Sequence, residues 1–126
     1  MGVTYDAGAL IAAERNDRRM WALHAGFLAE EVTPVVPAPV LAQAWRGSAR
    51  QASLVRFLLM CETEALTDDL ARRVGILAGA SGSSDITDLA VVEGATRRRD
   101  AVVTSDGGDL RRIAEAAGTG LVIESV

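Results

Sequence analysis

Along this chain, short runs of β-branched and aliphatic residues alternate with stretches of helical periodicity, and that alternation is the tightest constraint on its fold. Met1 to Tyr5, the Val35–Val36 pair, "DAVVT" and "LVIES" read as strands. Between them, "DAGALIAAERN" is an alanine-rich helix opening on an aspartate, and "RRMWALHAGFLAEE" sets Met20, Leu23, Phe27 and Leu28 at helical spacing. Prolines open "APVLAQAWRG", which runs to Gly47. "RQASLVRFLLMCE" has helical period, a short extended piece follows, and Thr67 is the N-cap of a further helix that ends at a polar break, Ser81 to Ser84. "SDITDLAVVEGATRRR" starts from a serine or aspartate cap, and "DLRRIAEAAG" closes at Gly118. Parallel neighbouring strands need crossover connections, and helices between all strands supply them. The expected architecture is a three-layer α/β/α sandwich with a mainly parallel central sheet, one domain over residues 1–126.

Composition removes several function classes. No stretch approaches the roughly eighteen apolar residues of a membrane span, and no basic and apolar leader opens the chain, so a cytoplasmic protein without membrane contact is expected. The single cysteine, Cys61, cannot form an internal disulfide and reads as a small hydrophobe. A net charge of -4 argues against a broad electrostatic grip on nucleic acid, leaving a local one open. All thirteen basic residues are arginine. The absence of lysine excludes Walker-type phosphate loops and Schiff-base chemistry.

The chemistry sits at the strand ends. In parallel α/β sheets the functional crevice lies beyond the carboxyl ends of the strands. Asp6 follows the first strand and Asp106 follows "AVVT", so two carboxylates a hundred residues apart are expected at one rim. Asp85 and Asp88 lie three apart at the start of the intervening helix and can join them. Such a cluster repels itself unless a cation binds it. Oxygen-only donors suit Mg²⁺ or Mn²⁺, and with one histidine, His24, and one unclustered cysteine, zinc is disfavoured. A hydrated Mg²⁺ on a few aspartates is the usual arrangement for phosphate chemistry, which points to phosphodiester hydrolysis. Aspartates also cap helices, and Asp109, ahead of "LRRIA", reads as a cap.

Nearly the whole chain resembles the PIN-domain ribonucleases, most closely the VapC-type toxins of bacterial toxin–antitoxin pairs. "VTYDAGALIAA" is similar to that family's opening strand and first acid, here Asp6; "SSDITDLAVVEGA" to its acidic helix, with Asp88 in the metal-binding place and Asp85 accompanying; "AVVTSDGGDL" to its Thr-x-Asp signature, with Asp106 as ligand. The resemblance implies a Mg²⁺- or Mn²⁺-dependent endoribonuclease acting on RNA, homodimeric and silenced by a cognate antitoxin protein. In "PAPVLAQAWRG" the family pattern has a glutamate where this chain has Gln43. An amide can ligate a cation or orient a water but adds no charge and is no general base. Glu14, on the first helix, is the candidate replacement if that helix carries it to the rim.

Arg46 and Arg50, after the Gln43 helix, are candidates for RNA-backbone contact, or they solvate a helix end; Arg97 to Arg99 read as a solvated helix C-terminus. Trp21 and Trp45 read as core or interface anchors, and His24 as a helix-surface or core-edge residue. The alternative function is a catalytically degenerate PIN domain that binds RNA or protein, motivated by Gln43. A nucleotide-binding α/β domain is disfavoured because "DAGALIAA" has one glycine where a phosphate fingerprint needs several.

Overall fold

A computed structural model describes residues 2–126; Met1, included above in the first strand, lies outside the described residues. In chain order the elements are β1 (Val3–Tyr5), α1 (Ala7–Glu14), α2 (Arg18–Ala29), β2 (Val35–Pro37), α3 (Ala38–Ala44), a 3-10 turn at Ala49–Gln51, α4 (Ala52–Leu58), β3 (Glu62–Glu64), α5 (Asp68–Ser81), α6 (Ile86–Arg98), β4 (Ala101–Thr104), α7 (Gly108–Ala116) and β5 (Ile123–Ser125). The five strands form one sheet in the order β3-β2-β1-β4-β5, and every pairing is parallel. The expected α/β fold with its parallel sheet is the one observed.

That strand order has a reversal in it. From β1 the chain moves outward through β2 to β3, then returns past its start to β4 and β5. Right-handed crossovers in opposite directions put their helices on opposite faces. Accordingly α1 packs against α4, while α5, α6 and α7 pack against one another, and α3 touches both groups through α1 and α6. The reversal falls between β1 and β4, whose register pairs Thr4 with Val102 and Tyr5 with Val103. Open α/β sheets bind their ligands in the crevice at such a point.

β1 is buried on both faces, as a central parallel strand must be. Tyr5 stacks on Phe57 at 5.2 Å, and its hydroxyl lies 2.9 Å from Nδ1 of His24. His24 is therefore not at the helix surface or the core edge but inside an aromatic cluster with Tyr5, Trp21 and Phe57, where burial lowers its pKa. Trp21 is an anchor of the same core, its indole N–H donating to the Ala13 carbonyl at 3.0 Å. Burial also pushes the Cys61 thiol up to about 12, consistent with a packing role.

A second polar cluster lies at the amino end of β4. The Asp100 carboxylate accepts from Thr4 Oγ1 at 2.8 Å and from Arg98 Nε at 3.0 Å, and Arg98 also meets Glu64 at 2.7 Å. Arg97 bonds Glu64 at 2.6 Å and Glu93 at 2.9 Å. The arginine run differs in part from the solvated cap expected of it: Arg97 is exposed and Arg98 half-buried, but both are held in an ion-pair network. Only Arg99, in the left-handed conformation at φ 60°, behaves as a helix-terminal residue.

Candidate active site

Asp6 leaves β1 with its backbone N–H still bonded to Val103, 3.2 Å away, so it continues the ladder with β4 by one residue. Its carboxylate does two structural jobs. Oδ1 accepts from the Gly8 N–H at 2.6 Å, capping α1, and Oδ2 accepts from the Thr104 hydroxyl at 2.7 Å. Thr104 Oγ1 in turn accepts from the Asp106 N–H at 3.1 Å. One hydroxyl at the end of β4 therefore ties the two strand-end aspartates together across the reversal point. Thr104 is buried, and among the described residues it is the direct link between them. It stood in the Thr-x-Asp signature, but the sequence offered no reason to assign it this bridging role.

Close approach makes this possible. A Cβ on Gly8 would lie 2.7 Å from the Ser105 backbone nitrogen, so only glycine lets α1 start against the β4 end. Gly8→Ala is expected to lower stability by about 2 kcal/mol through overpacking, read as a drop in the urea midpoint, and to pull Asp6 away from Thr104. A neutral substitution would show that the β4 loop yields freely.

Asp85 caps α6, its Oδ1 accepting from the Asp88 N–H at 3.0 Å, and Asp88 sits in the first turn. Electrostatics connects the four acids. Burial holds the Asp88 pKa up, and Asp85, Asp6 and Asp106 repel its negative charge, raising it to about 6. Asp6 is raised as well, by burial first and by Asp106 last, against lowering bonds from Thr104, Gly8 and Ala9. The rim thus concentrates negative charge from β1, the β4 end and α6. All its donors are hard carboxylate oxygens, the chemistry that suits a hydrated divalent cation. Among the described residues no three histidine, cysteine or carboxylate groups are close enough to hold a metal ion by themselves, so water would have to complete any shell.

The sign of the Asp88 shift gives a stability prediction. The unfolded chain binds this proton with a pKa near 3.8 and the folded chain with one near 6. Stability from this group is therefore greatest below about pH 4, falls as pH rises to about 6, and stays reduced above that. Asp88→Asn is expected to stabilise the protein by about 1 kcal/mol at pH 7.5, after allowance for screening at a half-exposed group. It should also flatten the melting temperature between pH 4 and 6. A variant no more stable than the parent at pH 7.5 would show that the acids are too well solvated to repel.

Other candidates lie elsewhere. Glu14 ends α1, eight residues and about 12 Å along the helix from Asp6, and its carboxylate accepts from Gln51 Nε2 at 2.6 Å. The helix carries it away from the rim rather than back to it. Gln51, buried, also accepts from Arg46 N at 2.8 Å and Gly47 N at 3.1 Å and donates to the Ala44 carbonyl, so it pins the end of α3. Gln43 is exposed on α3. The Arg46 guanidinium binds the Trp45 and Ala42 carbonyls, at 2.7 and 3.4 Å, as a cation at a helix C-terminus does. Arg50 is exposed on the 3-10 turn. Asp109 is not the cap of α7: Gly107 holds that position, Asp106 Oδ1 accepts from Gly108 N at 3.2 Å, and Asp109 pairs with Arg112. Two adjacent glycines let the chain turn early, and Asp106 is nearer the turn.

No family model and no curated protein matches the sequence. Among solved structures, the chain is similar to one in the crystal structure of VapBC2 from Rickettsia felis bound to a DNA fragment from their promoter, with 18% identity and a TM-score of 0.74. The match covers 100% of this chain and 99% of that one. The reversed parallel sheet, its helical layers and the acids at its switch point are therefore carried on a PIN-like fold.

Proposed function

We propose that this protein is a metal-dependent endoribonuclease, hydrolysing RNA phosphodiester bonds as the toxin component of a VapBC-type toxin–antitoxin system. The observation that carries this reading is the Thr104 bridge, which brings Asp6 and Asp106 together at the switch point. Asp88 is close enough to both to feel their charge. Asp6, Asp88 and Asp106, with Asp85 supporting from the α6 cap, would share Mg²⁺ or Mn²⁺ in part through bridging water, because no three of them stand close enough to hold it directly. When bound, such a cation binds phosphate oxygen and makes water a stronger acid. The chain's own part is to aim the carboxylates: Gly8 N–H and Thr104 O–H fix both Asp6 oxygens, Gly108 N–H fixes one Asp106 oxygen, and the Asp88 N–H fixes one oxygen of Asp85. Glu14 is bound to Gln51 and takes no part; Gln43 is left to orient water.

The partners this reading calls for are an RNA substrate, a second copy of the chain and a small cognate antitoxin. Trp45, 42% exposed, Leu59, 74% exposed, and Val55 with Leu41 line an apolar groove of about 560 Å³, the kind of face a protein partner covers. Among the described residues no helix is long and apolar enough to cross a membrane.

The test is cleavage of an end-labelled single-stranded RNA with Mg²⁺, with Mn²⁺ and with EDTA. Fragments with either metal and none with EDTA are expected. A second reading, a domain that keeps the fold and binds without cutting, is favoured by Gln43, which leaves α3 without its acid. Intact RNA under all conditions, with no heat of Mn²⁺ binding at millimolar metal, would establish that reading and remove the first.

A further inference from the structure

Beside the acid rim, the end of α5, the start of α6 and the first turns of α7 border an open cavity of about 320 Å³. Its wall carries Asp85 and Asp88 on one side and Asp109 and Arg112 on the other, with Ser81 and Ser83 between. Arg112 is the cation in that wall. Its guanidinium, about three-quarters exposed, pairs with Asp109 one turn earlier. Ser81 Oγ accepts from the Ser83 N–H at 3.3 Å, and Ser83 Oγ accepts from the Asp85 N–H at 3.2 Å. Both hydroxyl oxygens are thereby fixed as acceptors, and each keeps its own proton to donate.

We infer that this cavity is the subsite for a backbone phosphate flanking the scissile one, with Arg112 as its positioning residue and Ser81 and Ser83 as hydroxyl donors. The inference rests on the proposed ribonuclease activity and deepens it. An acidic rim repels an RNA strand, so the strand needs a cation beside the acids to bring it in. Arg46 is occupied with the end of α3, whereas Arg112 lines the same cavity as Asp88. A guanidinium in an exposed ion pair can exchange a carboxylate for a phosphate, since both suit its planar fork. Asp109 is then the competitor that holds Arg112 until RNA arrives.

The geometry sets opposite signs for the two partners of one ion pair, which a merely structural pair would not do. Binding of a fluorescein-labelled single-stranded RNA is measured by anisotropy in EDTA across a salt series, and cleavage is measured with Mn²⁺. Arg112→Gln is expected to weaken binding about tenfold, to lower the salt slope by about 0.7, and to raise KM with kcat within about twofold. Arg112→Lys should restore part of the binding. Asp109→Asn should tighten binding, while Asp68→Asn, the same charge change in the exposed Asp68–Arg72 pair at the far end of α5, should not. If R112Q leaves binding, salt slope and KM unchanged in a protein that cleaves, or if D109N and R112Q shift binding in the same direction, the subsite is overturned and the ribonuclease stands. If the parent neither binds nor cleaves RNA, the ribonuclease reading falls and takes the subsite with it.

Discussion

Asp6→Asn is expected to lower metal-dependent RNA cleavage by about a thousandfold while leaving the protein as stable as the parent or more so. The two halves of that expectation come from different properties of one side chain. Asparagine caps helices about as well as aspartate, so an amide oxygen can keep the Gly8 bond that starts α1. The aspartate is 8% exposed and its pKa is raised by burial, so the fold bears a cost for keeping it ionised that a neutral amide does not. What the amide cannot replace is charge at the switch point. Cleavage assays and thermal melts on the same preparation check both halves: activity retained within tenfold removes Asp6 from the catalytic set, and a melt several degrees lower would show that the carboxylate is there for the fold.

Asp100→Ala should have the reverse profile. Its carboxylate, 4% exposed, takes hydrogen bonds from Thr4 and Arg98, and a Cβ on Gly2 would lie 2.5 Å from its Oδ1, so the site is built closely around the charge. Removing it leaves the Thr4 hydroxyl without its acceptor and Arg98, 18% exposed, with Glu64 as its remaining carboxylate. Truncating one member of a buried, hydrogen-bonded charge pair costs about 3 kcal/mol, visible as a lower urea midpoint at unchanged slope. Asp100 lies at the amino end of β4 and Asp106 past its carboxyl end, so cleavage by the folded fraction should hold. A loss under about 1 kcal/mol would mean that Glu64 alone satisfies Arg98.

The sequence made four of the five strands legible because they carry short apolar runs separated by helices whose caps are local, whereas β3, Glu62–Glu64, is polar and reads only as an extended piece. Asp6, Thr67 and Asp85 cap the helices that follow them through bonds reaching two or three residues. Asp6 and Asp106 could be placed at one rim from the parallel topology alone. The remaining polar structure depends on partners far apart in the chain, and such partners leave no periodic trace. Arg98 with Thr4 spans 94 positions, Gln51 with Glu14 spans 37, and Thr104 with Asp6 spans 98. His24 illustrates the same point: it reads as a helix-surface or core-edge residue because only the fold supplies the aromatic cluster and the Tyr5 hydroxyl that bury it. Glu14 went the other way because a straight helix of eight residues carries its two ends apart.

Because β4 slots in beside β1 only after β2 and β3 have been laid down on the other side, the two strand-end aspartates of the rim, Asp6 and Asp106, are translated about a hundred codons apart. The acid rim is therefore incomplete in any nascent chain that has not yet passed β4.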